Sequence, residues 1–336
     1  MYSVLTNAQA KTVIDSEQIF LAYKDMLVKG VGYGGGMHWK VVGGREYLYR
    51  TLDRKGNARS LGARSSDTEK MLIDFTARKA QVSARRAELK AQLHIQARVN
   101  VAHRVGHVPN EVADLCIELD AADLLDKNIM VIGTNALHVY EAMAGVRFPS
   151  DIMATMDIDL FWIHTAKLSL VATKAVTGDG LLGLLRRADK SYEIMVHQNF
   201  RAVTHKGYMV DLIRQMPKPP WADERDRFAS GDMVATDIWN MAWMLGAPRV
   251  IQPVIAFDGR PFLMSAPDPR AFALFKLWLS KSLERNPLKK ARDLAQAQAV
   301  IHLVNDRLPH LGAKWSDMQS FPSDLLTRVM QGQAPL

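Results

Sequence analysis

Hydrophobic residues recur along the first hundred residues at the spacing typical of helices. The pattern predicts one helix over the first thirty residues and a longer one that begins at Ser65 or Ser66 and ends near Val101. Glu69, three residues after Ser66, predicts a capping box at the start of the longer helix. Arg and Lys fill much of the remaining helix surface, so we interpret this helix as a basic arm.

Between these helices the pattern changes to short runs rich in β-forming residues. The segment 38–62 contains such runs separated by Gly-Gly and Lys-Gly-Asn, and it predicts a small hairpin or meander. The glycine-rich stretch 30–36 before it lacks the Lys-Ser/Thr that completes a phosphate-binding P-loop, and we interpret it as a turn.

From residue 111 onward, predicted helices and strands alternate, as in an α/β (α+β) fold with a mixed sheet and flanking helices. A buried strand that ends at Gly133 and leads into a helix is the usual geometry for presenting backbone amides to a phosphate. The predicted helices lie over 111–127, from about Asn135, and around 180–190; the strands lie over 128–133 and 158–163; and a hairpin joins 200–205 to 207–213.

The last third of the chain carries helix-start signals. Asp268-Pro269 and Asn286-Pro287 each pair an N-cap residue with a first-turn proline, and each opens a predicted helix. The 336 residues, 48% of them hydrophobic, can bury a substantial core. We divide the chain into a basic N-terminal arm with a small hairpin, an α/β core and a mostly helical C-terminal domain, over 1–109, 110–216 and 217–336.

The net charge of +8 is unevenly distributed. Residues 1–110 contain 18 Lys or Arg and 9 Asp or Glu, a balance of +9, whereas the rest contains 25 and 26, a balance of −1. A basic N-terminal segment can contact a polyanion, although a solvated helix face would have the same composition. The rest of the chain, with its nearly neutral balance, can carry an acidic catalytic centre.

Several kinds of protein are excluded by composition. No signal peptide or membrane-spanning apolar stretch is present, so we expect a cytoplasmic protein that does not contact a membrane. The single cysteine, Cys116, lies in an apolar context and is interpreted as a core thiol. The histidines show no metal-ligand spacing, so zinc is not expected. His138 and Tyr140 either contact a base or ribose or pack in the core.

Three aspartates lie in predicted strands. Asp157 and Asp159 are two residues apart, which places both carboxylates on one face of a strand, ~7 Å apart. Such a pair suits a hard divalent cation. Asp211 lies within the apolar strand 207–213, where an unpaired charge costs several kcal/mol. Either a cation or an ion pair with Arg214 or another base would offset that cost.

Basic residues of the two late helices form a second candidate group. Lys276, within the apolar sequence Phe-Lys-Leu-Trp, either contacts a triphosphate as a point charge or covers apolar surface with its stem. Lys290 and Arg292 are candidate phosphate ligands, with Asp293 orienting Arg292; an ordinary surface ion pair is the alternative.

The sequences Val-Ile-Gly133-Thr134-Asn135-Ala-Leu, Asp157-Ile-Asp159-Leu and Val-Asp211-Leu resemble the Gly-Ser, Asp-x-Asp and third-Asp motifs of the DNA polymerase β-like nucleotidyltransferases. The likeness is to a prokaryotic stand-alone, minimal-type family, and the late Lys and Arg-Asp helices are also similar to AbiEii-type toxins. The chain departs from the motif in having Thr134 where serine is usual, and in a longer gap before Asp157.

This resemblance implies a polymerase β-like catalytic core over 110–216 and a C-terminal domain that closes a nucleoside triphosphate (NTP) site. Asp157, Asp159 and Asp211 would be catalytic and hold two Mg²⁺ ions. The residues implied to bind the NTP are Gly133, Thr134, Asn135, Lys276, Lys290 and Arg292.

The implied activity is transfer of a nucleoside monophosphate from an NTP to an acceptor hydroxyl. The basic arm, with Trp39, Tyr47 and Tyr49 nearby, favours RNA as acceptor, and a tRNA 3′ end is the first expectation. The AbiEii likeness implies a toxin of a toxin-antitoxin or abortive-infection system, with a possible antitoxin partner. The alternatives are transfer to a protein (AMPylation-type) or to a small molecule such as an aminoglycoside, and an inactive nucleic-acid-binding or antitoxin-like protein.

Overall fold

A computed structural model of the chain describes residues 2–53, 56–163, 180–217 and 231–331. These residues form two compact units. The smaller comprises Lys11–His103 with Gly259–Pro261, and the larger comprises the described parts of Met1–Ala10, Arg104–Asp258 and Phe262–Leu336. No helix in the described part is long and apolar enough to span a bilayer. The division into 1–109, 110–216 and 217–336 stays a prediction.

The first helix and the meander agree with the predicted pattern. After a two-residue strand β1 (Ser3–Val4), helix α1 spans Asn7–Val31. An antiparallel three-stranded sheet in the order β2-β3-β4 follows, formed by β2 (Met37–Val42), β3 (Arg45–Thr51) and β4 (Ala58–Ala63). Arg54 and Lys55, in the predicted Lys-Gly-Asn turn, lie outside the described residues.

Helix α2 (Ser66–Ala102) closes the smaller unit, and its capping box was predicted one residue too late. Ser65, in extended backbone, is the N-cap: its hydroxyl accepts from the Thr68 amide at 3.3 Å, while the Thr68 hydroxyl accepts from the Ser65 amide at 2.8 Å. Glu69 instead accepts a hydrogen bond from Arg64 at 2.8 Å. The prediction of Ser66 and Glu69 was wrong because Ser66 already has helical backbone.

The larger unit contains the expected mixed sheet. The elements from here to the end of the sheet are α3 (Asn110–Ala121), β5 (Ile129–Ile132), α4 (Leu137–Ala144), β6 (Val146–Arg147), α5 (Ser150–Met153), β7 (Asp157–Trp162), α6 (Gly180–Ala188), β8 (Glu193–Met195), β9 (Gln198–Val203), β10 (Met209–Gln215) and β11 (Thr236–Ile238). The strand order of the sheet is β5-β7-β10-β9-β8, with β11 paired to β10. Strands β7 and β11 run parallel to β10, and the other pairs are antiparallel.

The core of this unit explains the apolar strand sequences. All four residues of β5 are buried, as are Ile158, Leu160 and Val210 in the neighbouring strands. Cys116 on α3 is completely buried, which confirms its interpretation as a core thiol, and burial raises the pKa of that thiol. The short strand β6 pairs with β1.

The C-terminal part contains both predicted helices and a hairpin that was missed. The caps are as predicted: the side chain of Asp268 accepts from the Arg270 amide at 2.8 Å, and that of Asn286 accepts from the Leu288 amide at 2.9 Å. The elements are α7 (Ala242–Leu245), β12 (Arg249–Ile255), β13 (Pro261–Pro267), α8 (Pro269–Lys281), α9 (Pro287–Arg307), α10 (Pro309–Gly312) and α11 (Ser323–Met330). Pro253 within β12 argues against a strand, but a two-stranded hairpin tolerates it.

Candidate active site

The three aspartates lie on the same face of two adjacent parallel strands. In the register of β7 and β10, Asp211 pairs with Asp159, and Met209 pairs with Asp157. Paired residues of neighbouring strands project to the same side, and the strands are ~4.8 Å apart. The negative charges of Asp157 and Asp211 both raise the pKa of Asp159. The structure therefore brings the three predicted side chains together.

The environment of Asp159 disfavours its negative charge. Desolvation raises the pKa of Asp159 to about 7, and the nearby carboxylates of Asp157 and Asp211 act in the same direction. The charges of Lys276 and Lys289 oppose this rise but do not cancel it. A carboxylate whose charge is disfavoured, beside two further carboxylates, belongs to a set of oxygen ligands that a hard divalent cation would satisfy.

Asp211 forms the ion pair that one of its two interpretations expected, but with a base that was not named. Arg201 on β9 lies opposite Asp211, and its Nε and Nη2 atoms donate to the two carboxylate oxygens, each at 2.6 Å. This is the two-pronged geometry that Arg and carboxylate favour. Arg214, which the sequence offered as a partner, instead pairs with Asp237 at 2.5 Å. Arg214 was the wrong choice because it lies three residues along the strand from Asp211, on the opposite face.

The turn after β5 approaches Asp159 closely at Gly133. Ile132 pairs with Asp159 across the sheet, so the next residue meets the Asp159 side chain. Gly133 has φ +67°, and a Cβ atom placed there would lie 2.1 Å from Oδ2 of Asp159. Glycine is thus required for both its backbone conformation and its small size. The chain continues as a 3₁₀ turn, Gly133–Ala136, so α4 begins two residues later than predicted.

Thr134 and Asn135 are held by hydrogen bonds beside the carboxylates. The side-chain nitrogen of Asn135 donates to the backbone carbonyl of Asp157 at 2.7 Å, and that of Gln296 on α9 donates to the Thr134 hydroxyl at 3.1 Å. Gln296 also donates to the carbonyl of Ile152 at 2.7 Å. Both of these bonds use the Gln296 nitrogen.

The Gln296 side-chain oxygen is buried and has no hydrogen-bond partner among the described residues. Leaving a buried acceptor unmatched costs about 1–3 kcal/mol. A polar ligand, or its bound water, would offset that cost. The three carboxylates, beside the turn at Gly133, make the residues fit a bound divalent cation.

Lys276 is buried on α8 and ion-paired. Its Nζ lies 2.7 Å from Oδ1 of Asp293, and Nε of Arg285 lies 2.8 Å from Oδ2 of the same carboxylate. Burial lowers the pKa of Lys276, and the charge of Asp293 opposes that effect. Only 6% of Lys276 is exposed, so the alternative of a snorkelling lysine, whose stem covers apolar surface while its charged end lies in solvent, is wrong. Its charge also lowers the pKa of Asp159.

The proposed pairing of Arg292 with Asp293 does not occur. Consecutive helix residues point in directions about 100° apart, and Asp293 faces the core while Arg292 does not. Arg292 donates to the carbonyl of Ala154, just before β7, at 3.1 Å. The alternative, an ordinary surface ion pair, is likewise wrong, because Asp293 is fully buried.

Two lysines lie in the first turns of α9. Lys290 is half-buried there. The positive charge of Lys289, which was not predicted as a site residue, lowers the pKa of Asp159.

His138 and Tyr140 pack in the core, as one of their two interpretations expected. The Tyr140 hydroxyl donates to the carbonyl of Pro267 at 2.8 Å. His138 and His107 both hydrogen-bond Oε2 of Glu141 through Nδ1, at 3.2 and 2.7 Å. Burial alone raises the pKa of Glu141, but these bonds outweigh it and bring the pKa down to about 2.

The ligand atoms of His107, His138 and Glu141 lie within 4.8 Å of one another, and the group could hold a metal ion. This group was not predicted, because His107 lies far from the other two residues along the chain. The three-residue spacing of His138 and Glu141 on one helix was its only sequence signal. The Phe148 amide donates to the other Glu141 oxygen at 2.6 Å, so the protein itself satisfies this carboxylate.

Comparison with known proteins bears on the same part of the chain. A family model described as nucleotidyltransferase matches residues 110–320, which is more than half of the chain. No curated protein and no solved structure gives a match. The matched range contains all three aspartates, the turn at Gly133 and both late helices. The chain therefore belongs to this nucleotidyltransferase family, whose members are enzymes that transfer nucleoside monophosphate groups.

Proposed function

We propose that the protein transfers a nucleoside monophosphate from an NTP to a hydroxyl of RNA, with a tRNA 3′ end as the first candidate. Asp157, Asp159 and Asp211 hold two Mg²⁺ ions in this proposal. The observation that carries it is the register of β7 and β10, which sets Asp211 beside Asp159 on the face that Gly133 approaches. The nucleotidyltransferase family assignment supports the reaction class.

Each residue of the site has a physical role in the proposal. Bound Mg²⁺ supplies neutralisation of the charge that spreads over the transferred phosphoryl group and the leaving pyrophosphate. The three carboxylates hold the cations, and Asp211 must exchange part of its contact with Arg201 to do so. Gly133 lets the turn approach the Asp159 carboxylate closely, and Thr134 offers a hydroxyl to the triphosphate.

The positive side chains near the site fit a triphosphate. Lys276 is held in place by Asp293 and acts on Asp159, so its position is fixed before the substrate arrives. Lys290, Arg292 and Asn135 complete the proposed NTP ligands. In the proposal, residues 110–216 form the catalytic core, residues 217–336 close the NTP site, and the basic segment 1–109 contacts the RNA.

The finer family assignment is also part of the proposal. In the proposal the chain is a polymerase β-like enzyme of the minimal, stand-alone type, related to AbiEii-type toxins, and the motifs at Gly133, Asp157 and Asp211 support this. In that case the transfer inhibits growth, and a cognate antitoxin restrains it. Transfer to a protein is the second candidate.

The test is label transfer in total cell extract. The purified protein is incubated with extract, Mg²⁺ and each NTP in turn, labelled at the α-phosphate, and RNA, protein and small molecules are separated. We expect label in RNA, most of it in the tRNA fraction, and none without Mg²⁺. Asp157→Ala should label nothing. Label in protein alone would replace RNA with protein as acceptor, and equal labelling by Asp157→Ala would remove the site assignment.

The position of the label in the NTP provides a control that identifies the group transferred. NTP labelled at the γ-phosphate should release its label as pyrophosphate and transfer none. Expression in a growing cell tests the toxin role, because growth should stop with the wild-type protein and continue with Asp157→Ala.

A further inference from the structure

The smaller unit has a sheet face that the transfer chemistry does not use. Alternate residues of β2, β3 and β4 point to opposite sides of this sheet. One side packs against α2: Leu48 is buried, and the Arg50 guanidinium lies 4.1 Å from the centre of the Phe75 ring. Trp39 lies on this side too, and the Arg64 guanidinium is 5.2 Å from the centre of its ring. The other side, which we name the tyrosine face, is mostly exposed, with Tyr47 and Tyr49 half-buried.

The tyrosine face carries aromatic rings with cations beside them. Its members from the three strands are His38, Lys40, Val42, Arg45, Tyr47, Tyr49, Thr51, Ala58, Ser60 and Ala63. His38 lies opposite Tyr49, and their rings stack with centroids 6.3 Å apart at an interplanar angle of 25°. Lys40 lies opposite Tyr47, and its Nζ is 5.5 Å from the centre of the Tyr49 ring.

The charges on this face are all positive or neutral. None of its described strand residues is acidic, and Lys40, Arg45 and His38 are exposed. The acidic residue of β3, Glu46, points to the other side and pairs with Arg64 at 2.6 Å. A face with cations and no acidic group attracts a polyanion.

We propose that the tyrosine face binds single-stranded RNA, with bases stacked on Tyr47 and Tyr49 and phosphates contacted by Lys40 and Arg45. This inference rests on the proposed function, in which RNA is the acceptor, and it names the surface that holds the RNA. Single strands are favoured because their bases expose faces that a duplex hides. The aliphatic residues of this face, Val42, Ala58 and Ala63, offer little apolar area for a protein partner.

Direct binding tests the proposal without any transfer step. The full chain is titrated into a fluorescently labelled single-stranded 12-mer RNA, and into its duplex, without NTP or Mg²⁺, and anisotropy is measured. The double variant Tyr47→Ala/Tyr49→Ala should bind the single strand at least about fivefold more weakly for each ring lost. Tyr47→Phe/Tyr49→Phe keeps the stacking surface and should bind within about twofold of wild type.

A pair of lysine variants tests the phosphate contacts. Lys40→Gln should weaken binding and reduce the slope of log affinity against log salt by about one. Lys70→Gln removes another exposed positive charge, on α2, and should leave both the affinity and the salt slope unchanged. Circular dichroism confirms that each variant is folded before its affinity is compared.

The outcomes separate this inference from the proposed function. If the alanine pair binds like wild type while extract RNA is labelled, the tyrosine face is wrong and RNA as acceptor stands. If the alanine pair loses RNA binding while label enters only protein, the face stands and the acceptor is wrong. Equal weakening by the phenylalanine and alanine pairs would overturn stacking as the mode of binding.

Discussion

Asp159→Asn is expected to lower the rate of nucleotidyl transfer by about a thousandfold or more while the protein stays folded. Asp159 pairs with Asp211 across the sheet, lies against Gly133, and interacts with Asp157. Removing its charge removes a cation ligand, and several kcal/mol of charge stabilisation corresponds to a factor of that size. Initial rates of pyrophosphate release at saturating Mg²⁺ measure the effect.

The same variant should not destabilise the metal-free protein at pH 8. The pKa of Asp159 in the folded protein is about 7, above its ordinary 3.8, so the folded state binds this proton more tightly than the unfolded chain. Its contribution to the free energy of unfolding therefore falls as pH rises from about 4 to 7 and stays low above 7. Asparagine carries no such cost, so urea unfolding at pH 8 should give a variant at least as stable as wild type.

A matched control distinguishes the site from a general effect of lost charge. Asp237 lies on β11, parallel to β10, and pairs with Arg214. Asp237→Asn removes an aspartate from the same sheet but should keep the transfer rate within a fewfold of wild type. If Asp159→Asn retains more than a tenth of the wild-type rate, its carboxylate is not a cation ligand.

The largest expected loss of stability comes from Asp293→Asn. The carboxylate is fully buried and contacts both Lys276 and Arg285. Removing one partner of a buried ion pair costs about 3–5 kcal/mol, because the remaining charge stays without water or a counterion. Lys276, buried on α8, cannot reach solvent, whereas Arg285 is partly exposed and can. Urea unfolding at pH 7 measures the change in free energy.

Lys276→Met is the matched variant for this prediction. Methionine is similar in length to the lysine stem, and Asp293 keeps its ion pair with Arg285, so the loss of stability should be smaller than for Asp293→Asn. The transfer rate should nevertheless fall, because the positive charge near Asp159 is lost. A larger stability loss for Lys276→Met than for Asp293→Asn would contradict the account of this cluster.

Local signals were enough to predict much of the fold. The helix starts at Asp268 and Asn286 depend on neighbouring residues alone, and the hairpin of β9 and β10 follows from apolar runs flanking a short turn at Gly207. The hairpin of β12 and β13 was missed because Pro253 normally argues against a strand, and only tertiary pairing decides otherwise.

Candidate site residues were predictable where sequence spacing fixed the geometry. Asp157 and Asp159 share a face because strands alternate. Arg201 could have been found from the predicted hairpin, since a short turn places it opposite Asp211. The partners of Asp293 could not, because they depend on how α8 packs on α9 and which side of α9 is buried. Distant contacts of this kind leave no local pattern.

The most direct measurement of the central claim is Mn²⁺ binding by electron paramagnetic resonance, with an NTP analogue whose α,β-bridge cannot be cleaved. The nucleotide alone, titrated under the same conditions, corrects for Mn²⁺ that binds only the triphosphate. The account predicts that wild-type protein with analogue binds two Mn²⁺ per chain and that Asp157→Asn binds fewer, with weaker affinity. Binding by Asp157→Asn equal to wild type in number and affinity would contradict it.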